Sequence, residues 1–218
     1  MPKSKVKICC ISSVEEAKLA IKYGASALGL VSVMPSGPGP ISEELITEIV
    51  KHIPDGIASF LLTSKQDADS IIAQQRKTKA NTIQLVDSVS VEVYHTLRKE
   101  LPGISIVQVI HVINESSVDE AKSVAPFVDM ILLDSGNPKL AVKELGGTGR
   151  KHNWNVSRKI VETIHKPVFL AGGLNSENVR EAIDYVQPYG LDVCSGVRTN
   201  GKLDEDKLKR YFDVINIV

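Results

Sequence analysis

Three kinds of residue in this chain could do chemistry. The first is a thiol beside an ammonium. Lys7, Cys9 and Cys10 sit together in the short apolar run "VKICCI". A nearby ammonium favours thiolate, and a thiolate is a nucleophile or a base. The second is a carboxyl group. Asp134 ends the otherwise apolar run "MILLDS", where it can act as an acid or base, or brace a loop. The third is a set of paired glycines. Gly172 and Gly173 occur in "LAGGLNSENV", Ser195 and Gly196 in "DVCSGVRT", and Gly146, Gly147, Thr148 and Gly149 beside Arg150 in "ELGGTGRKHNW". Such pairs bring backbone N–H groups close to an anion, and a helix N-terminus adds its dipole. One motif alone is also what a tight turn looks like. Three of them at one end of a fold point to phosphate.

The elements that must position these groups can be read from apolar periodicity. Strand-like runs lie at 5–11, 26–32, 57–62, 81–86, 105–112, 129–134, 167–172 and 191–196. Amphipathic helical segments with three- and four-residue spacing separate them. The first starts with Ser13, has Glu16 three residues on, and stops at Gly24, a capping-box start and a glycine stop. Strands apolar on both faces, alternating with helices, imply a parallel sheet. An open doubly wound sheet and a closed barrel both satisfy this, and eight units favour a single (β/α)8 barrel over residues 1–218. Two connections exceed a tight loop, "VMPSGPGP" after strand 2 and "SGNPKLAVKELGGTGRKHNW" after strand 6. Both follow strands, so both belong to the C-terminal face, where barrel enzymes work.

Strand alternation groups Lys7, Cys9 and Ile11 on one face, and Met130, Leu132 and Asp134 on one face of strand 6. Cys10 then falls toward the helix layer as a small core residue, and inert packing is equally a common fate for Cys9. Strands 7 and 8 separate strands 1 and 6 in a closed barrel. Cys9 and Asp134 therefore face each other across the mouth, with the phosphate loops between them.

Bulk properties narrow the class. The chain has 218 residues, 26 basic and 26 acidic, with no basic run to suggest nucleic acid. No apolar stretch approaches a membrane span, and no apolar leader follows the first residues. Three cysteines, two of them adjacent, do not make a disulfide framework. No zinc-type spacing of Cys and His occurs. These features suggest a reduced, cytoplasmic protein whose partner is a small phosphosugar.

These motifs together resemble the phosphoribosylanthranilate isomerase family of tryptophan biosynthesis, over essentially the whole chain. "KIC" at 7–9 is similar to KICG, "GASALGLV" to GAD-x-LGF-V, and "LLDS…GGTGRKHNW" to LLDS…GGTG-x-x-F-D-W. "LAGGLNSENVREAI" and "DVCSGVRTNGKLDEDKLKRYF" resemble the motifs around its last two strands. The resemblance implies an Amadori rearrangement, an aldose–ketose isomerisation without metal or organic cofactor. Cys9 becomes the general base and Asp134 the general acid. Gly147, Gly172, Gly173, Ser195 and Gly196 become the phosphate site, with Lys7 as a further substrate or phosphate contact.

The chain departs from the pattern on the other side of the substrate. Gly39 stands where the family has an Arg that contacts anthranilate. Val86 and Asp87 replace a His-Gly pair, Cys10 replaces Gly, His152 and Asn153 replace Phe-Asp, and Arg198 replaces Glu. Arg150 and Arg198 are the cations offered to the substrate carboxylate in its place. The departures leave two further readings, a paralogue isomerising another phosphoribosylamine and a non-catalytic phosphosugar-binding protein.

Overall fold

In the computed structural model, which describes residues 4–137, 140, 143–147 and 149–216, eight parallel strands close into a barrel in sequence order. They are β1 (Lys5–Ile8), β2 (Ala27–Val31), β3 (Ala58–Thr63), β4 (Thr82–Leu85), β5 (Ser105–His111), β6 (Met130–Asp134), β7 (Val168–Leu170) and β8 (Gly190–Val193). The helices are α1 (Val14–Tyr23), α2 (Glu43–Lys51), α3 (Ala68–Thr78), α4 (Val91–Glu100), α5 (Ser116–Val124), α6 (Trp154–Thr163), α7 (Val179–Val186) and α8 (Glu205–Asn216). The barrel expected from the eightfold alternation is the one observed. None of these helices is long and apolar enough to cross a membrane.

Helix starts follow local chemistry. Ser13 caps α1 by accepting from the Glu16 amide at 3.2 Å, and Glu16 reaches back to the Ser12 amide at 3.0 Å. Gly24 ends the helix with φ 111°. Ser42 and Asp67 cap α2 and α3 in the same way. Burial is layered by strand alternation. Val6, Ile8, Leu28 and Leu30 join the core between strands and helices, whereas Phe60, Val107, Val109, Leu132 and Phe169 fill the barrel interior.

Several boundaries are shorter than the apolar runs imply. β1 ends at Ile8 instead of 11, because Cys10 takes φ 62°, the left-handed region, and leaves the pleat. β8 ends at Val193 and passes into a 3-10 turn, Ser195–Val197. A short hairpin then follows, β9 (Arg198–Thr199) with β10 (Lys202–Leu203), which apolar periodicity does not signal.

The barrel closes where β1 meets β8, with Lys7 opposite Asp192. Their side chains form an ion pair at 2.9 Å inside the barrel, Lys7 fully buried and Asp192 8% exposed. The ammonium also lies 5.3 Å from the centre of the Phe60 ring. Burial alone would lower the Lys7 pKa, but the Asp192 carboxylate outweighs it and holds the amine charged, well above its ordinary value. Replacing Lys7 by Met strands the Asp192 carboxylate. We expect a loss of about 3–5 kcal/mol in urea unfolding. The double replacement Lys7→Met/Asp192→Leu should recover most of that loss, since an apolar pair of similar volume is tolerated.

Candidate active site

A concavity opens at the C-terminal mouth of the barrel. Cys9, Cys10, Asp134, Gly147, Gly172, Gly173, Asp192, Cys194 and Ser195 line it. Of the residues expected to form a site, it therefore gathers the thiol, the carboxyl group and most of the glycine loops. Thr148 lies outside the described residues. Gly196 supports the mouth from behind, since a Cβ there would meet the Leu174 carbonyl oxygen at 2.0 Å.

Cys9 follows Ile8 with its inward alternation intact. Its Sγ lies against β2 at Gly29, where any Cβ would stand 2.7 Å from the sulfur. Asp134 enters from β6. Its Oδ1 accepts from the Ser135 amide at 2.7 Å, and its Oδ2 from the Gly147 amide at 3.4 Å. Two backbone donors thus orient the carboxyl group at the rim. Between these two elements come the loops after β7 and β8. The amides of Gly172 and Gly173 have no backbone acceptor among the described residues. Asn178 ties the loop to the start of α7, donating to the Gly173 carbonyl at 2.9 Å and accepting from the Asn175 amide at 3.0 Å. The helix opens at Val179, six residues beyond the glycine pair.

Three expectations need correction. Cys10 does not face the helix layer. Its positive φ turns the side chain to the mouth, where its Sγ lies 2.8 Å from that of Cys194. Alternation holds only while the backbone stays extended. Lys7, expected as a substrate or phosphate contact, is fully buried and does not line the mouth. It is paired below the mouth with Asp192, which instead supplies the carboxylate that reaches the cavity floor. Arg198 does not serve a substrate carboxylate. Its guanidinium contacts both Glu16 oxygens at 3.0 Å and donates to the carbonyls of Gly201, Cys9 and Cys10. It braces the chain that carries the thiols. Arg150 is exposed at the rim and pairs with Glu144.

Sequence reasoning also missed Asp192 and Cys194. Asp192 lies within β8 and Cys194 directly after it, and a lone acid within an apolar strand was a signal for a partner to Lys7.

Gly39 explains two departures at once. It has φ 75°, and a Cβ built there would stand 2.7 Å from the Cys10 Cβ. The cysteine side chain occupies the space that a side chain at position 39 needs.

The match to known proteins agrees with this geometry. Residues 6–214 match the family model described as N-(5'phosphoribosyl)anthranilate (PRA) isomerase. The chain belongs to this family. It is 38% identical over 209 residues to N-(5'-phosphoribosyl)anthranilate isomerase 2 of Methanosarcina mazei, covering 95% of this chain and 92% of that protein. The crystal structure of the phosphoribosyl anthranilate isomerase of Thermotoga maritima superposes with a TM-score of 0.83 at 30% identity, covering 99% of this chain and all of the other. A second isomerase structure, in complex with reduced 1-(o-carboxyphenylamino)-1-deoxyribulose 5-phosphate, superposes with a TM-score of 0.81 at 28% identity, covering 99% of this chain and all of the other.

His152, at the Phe position of the family motif, packs beside Gly172, with its Nε2 2.7 Å from the Ser157 hydroxyl. Burial lowers its pKa from 6.5 to about 4, against a smaller upward pull from Asp134. The folded state therefore holds the ring neutral while the unfolded chain takes up a proton. Stability falls as pH drops from 6.5 toward 4 and levels off below. His152→Phe should flatten this part of the curve of urea midpoint against pH. Space at Gly39 is tested by a double-mutant cycle. Gly39→Ala should cost about 1–3 kcal/mol in unfolding free energy, and adding Cys10→Gly should recover part of it.

Proposed function

We propose that the chain isomerises N-(5-phosphoribosyl)anthranilate to the 1-(2-carboxyphenylamino)-1-deoxyribulose 5-phosphate. One observation carries the reading: Cys9 and Asp134 line a single mouth from opposite strands, with the glycine loops after β7 and β8 between them. The 5-phosphate sits on the amides of Gly172, Gly173, Ser195 and Gly196, with the loop at Gly147 closing over it. That anchor leaves the ribose ring between the thiol and the carboxyl group. Asp134, as the acid, gives its proton to the ring oxygen. The ring opens to a protonated imine. Cys9, as thiolate, removes the proton from C2. The resulting enolamine tautomerises to the ketone as its 2-hydroxyl loses a proton and C1 gains one, and transfer of the Cys9 proton back to Asp134 through solvent resets the pair. No electrons leave the substrate, so no redox partner is consumed. The reaction belongs to one barrel domain over residues 1–218, acting in the cytoplasm.

A second reading has a specific observation behind it. Gly39 and Cys10 leave no cationic side chain at the position that serves anthranilate in the family. An enzyme with the same acid, base and phosphate loops, acting on another N-substituted phosphoribosylamine, accounts for that change.

Steady-state turnover of phosphoribosylanthranilate, generated in situ and followed by fluorescence, separates the two. Cys9→Ala and Asp134→Asn should each lower kcat by about 10²–10⁴-fold, the usual worth of a positioned acid or base, while inorganic phosphate still binds. Wild-type protein that binds phosphate but does not turn over this substrate would favour the second reading. A fully active Cys9→Ala variant would remove the proposed base.

A further inference from the structure

The mouth holds two thiols that the proposed isomerisation does not use. Cys10 and Cys194 are 184 positions apart in sequence, yet their sulfurs are 2.8 Å apart. A disulfide bond measures about 2.05 Å, so less than about 1 Å of movement would close one. The neighbouring thiol, Cys9, is a poorer partner. Adjacent Cα atoms are about 3.8 Å apart across a trans peptide, below the usual disulfide span of about 4.4–6.8 Å. The three thiols do not form a metal-binding group among the described residues.

We propose that Cys10 and Cys194 are a reversible disulfide site, oxidised by a low-molecular-weight disulfide, whose closure slows turnover at the mouth. The electronic arrangement suits it. The contact between the two sulfurs draws the Cys194 thiol below its ordinary pKa against the effect of burial, and Arg198 adds to it. The same contact pushes Cys10 well above its own. Cys194 is also the less buried of the two. Its thiolate attacks one sulfur of the small disulfide, forming a mixed disulfide and expelling one thiolate. Cys10 then gives its proton to that thiolate and attacks the Cys194 sulfur, expelling the second. Two protein thiols lose two electrons, and the small disulfide is reduced to one thiol and one thiolate.

Closure matters because of what each cysteine adjoins. Cys10 follows Cys9, and both carbonyls are held by Arg198. Cys194 precedes Ser195 of the phosphate loop. The new bond would draw the base and the phosphate anchor toward each other, and shifts of about 1 Å in a reacting geometry can cost about 100-fold.

The test equilibrates the full chain with a series of reduced and oxidised glutathione mixtures. Expected are a loss of two thiols per chain, a Cys10–Cys194 cross-linked peptide, and Cys9 still open to alkylation. Turnover should fall at least about tenfold and return with dithiothreitol. Cys194→Ser and Cys10→Ser, each compared with its own reduced form and checked for folding by near-ultraviolet circular dichroism, should lose this sensitivity. Three free thiols throughout, a stable mixed disulfide, a cross-link to Cys9, or closure without change in turnover would each overturn the proposal. Thiol counts and peptide maps stand apart from the isomerase reading. If the reduced protein lacks turnover, affinity for inorganic phosphate replaces it as the readout, with a change of less than twofold on closure overturning the gating.

Discussion

The buried ion pair between Lys7 and Asp192 underlies the rest of the site. It lies where the barrel closes, on the register that sets β1 against β8. Two residues further along the chain from each, just past the strand ends, come Cys9 and Cys194, and both line the mouth. The pair thus fixes the height and facing of both thiols. A neutral apolar pair would close the barrel with less desolvation cost. What the charged pair adds is a carboxylate on the floor of the mouth. One oxygen of Asp192 is held by Lys7, and the other has no partner among the described residues.

A second charged pair governs the chain above that floor. Glu16 lies in the first turn of α1, and its carboxylate takes the Ser12 amide, the Leu203 amide and the Arg198 guanidinium. Burial raises its pKa, but Arg198 and the amides more than offset this and leave it below its ordinary value. Arg198 in turn holds the carbonyls of Cys9 and Cys10. A helix cap, a hairpin after β8 and the thiol-bearing loop after β1 are therefore one hydrogen-bonded unit. The left-handed turn at Cys10 is fixed by this unit, since a cysteine gains nothing intrinsically from that conformation.

Local pattern determines what could be read from sequence. The eight apolar runs and their capped helices are short-range signals, and they specify the barrel. Asp134 was legible because β6 stays pleated to its last residue, so period-two alternation holds. Cys10 was not, because one positive φ cancels that alternation and cysteine does not advertise it as glycine would. Arg198 was misread for a different reason. Its partners at Glu16 and Cys9 lie 182 and 189 residues away, and only barrel closure brings them near. An arginine in a loop looks available to an anion until the fold shows what it already holds.

The departures from the family pattern are linked by packing. A side chain at position 10 fills the volume beside position 39, and glycine is what remains possible there. Once Cys10 faces the mouth, its thiol lies within reach of the Pro38 carbonyl, 3.5 Å away. The Cys194 sulfur lies beside it at 2.8 Å. A side chain at position 39 would clash with Cys10, and loss of the Cys10 side chain would leave a gap beside Gly39. The exchange leaves Cys9, Asp134 and the glycine loops in place at the same mouth. Divergence here therefore reads as local repacking beside Cys9, Asp134 and the glycine loops, whose places at the mouth the barrel strands hold.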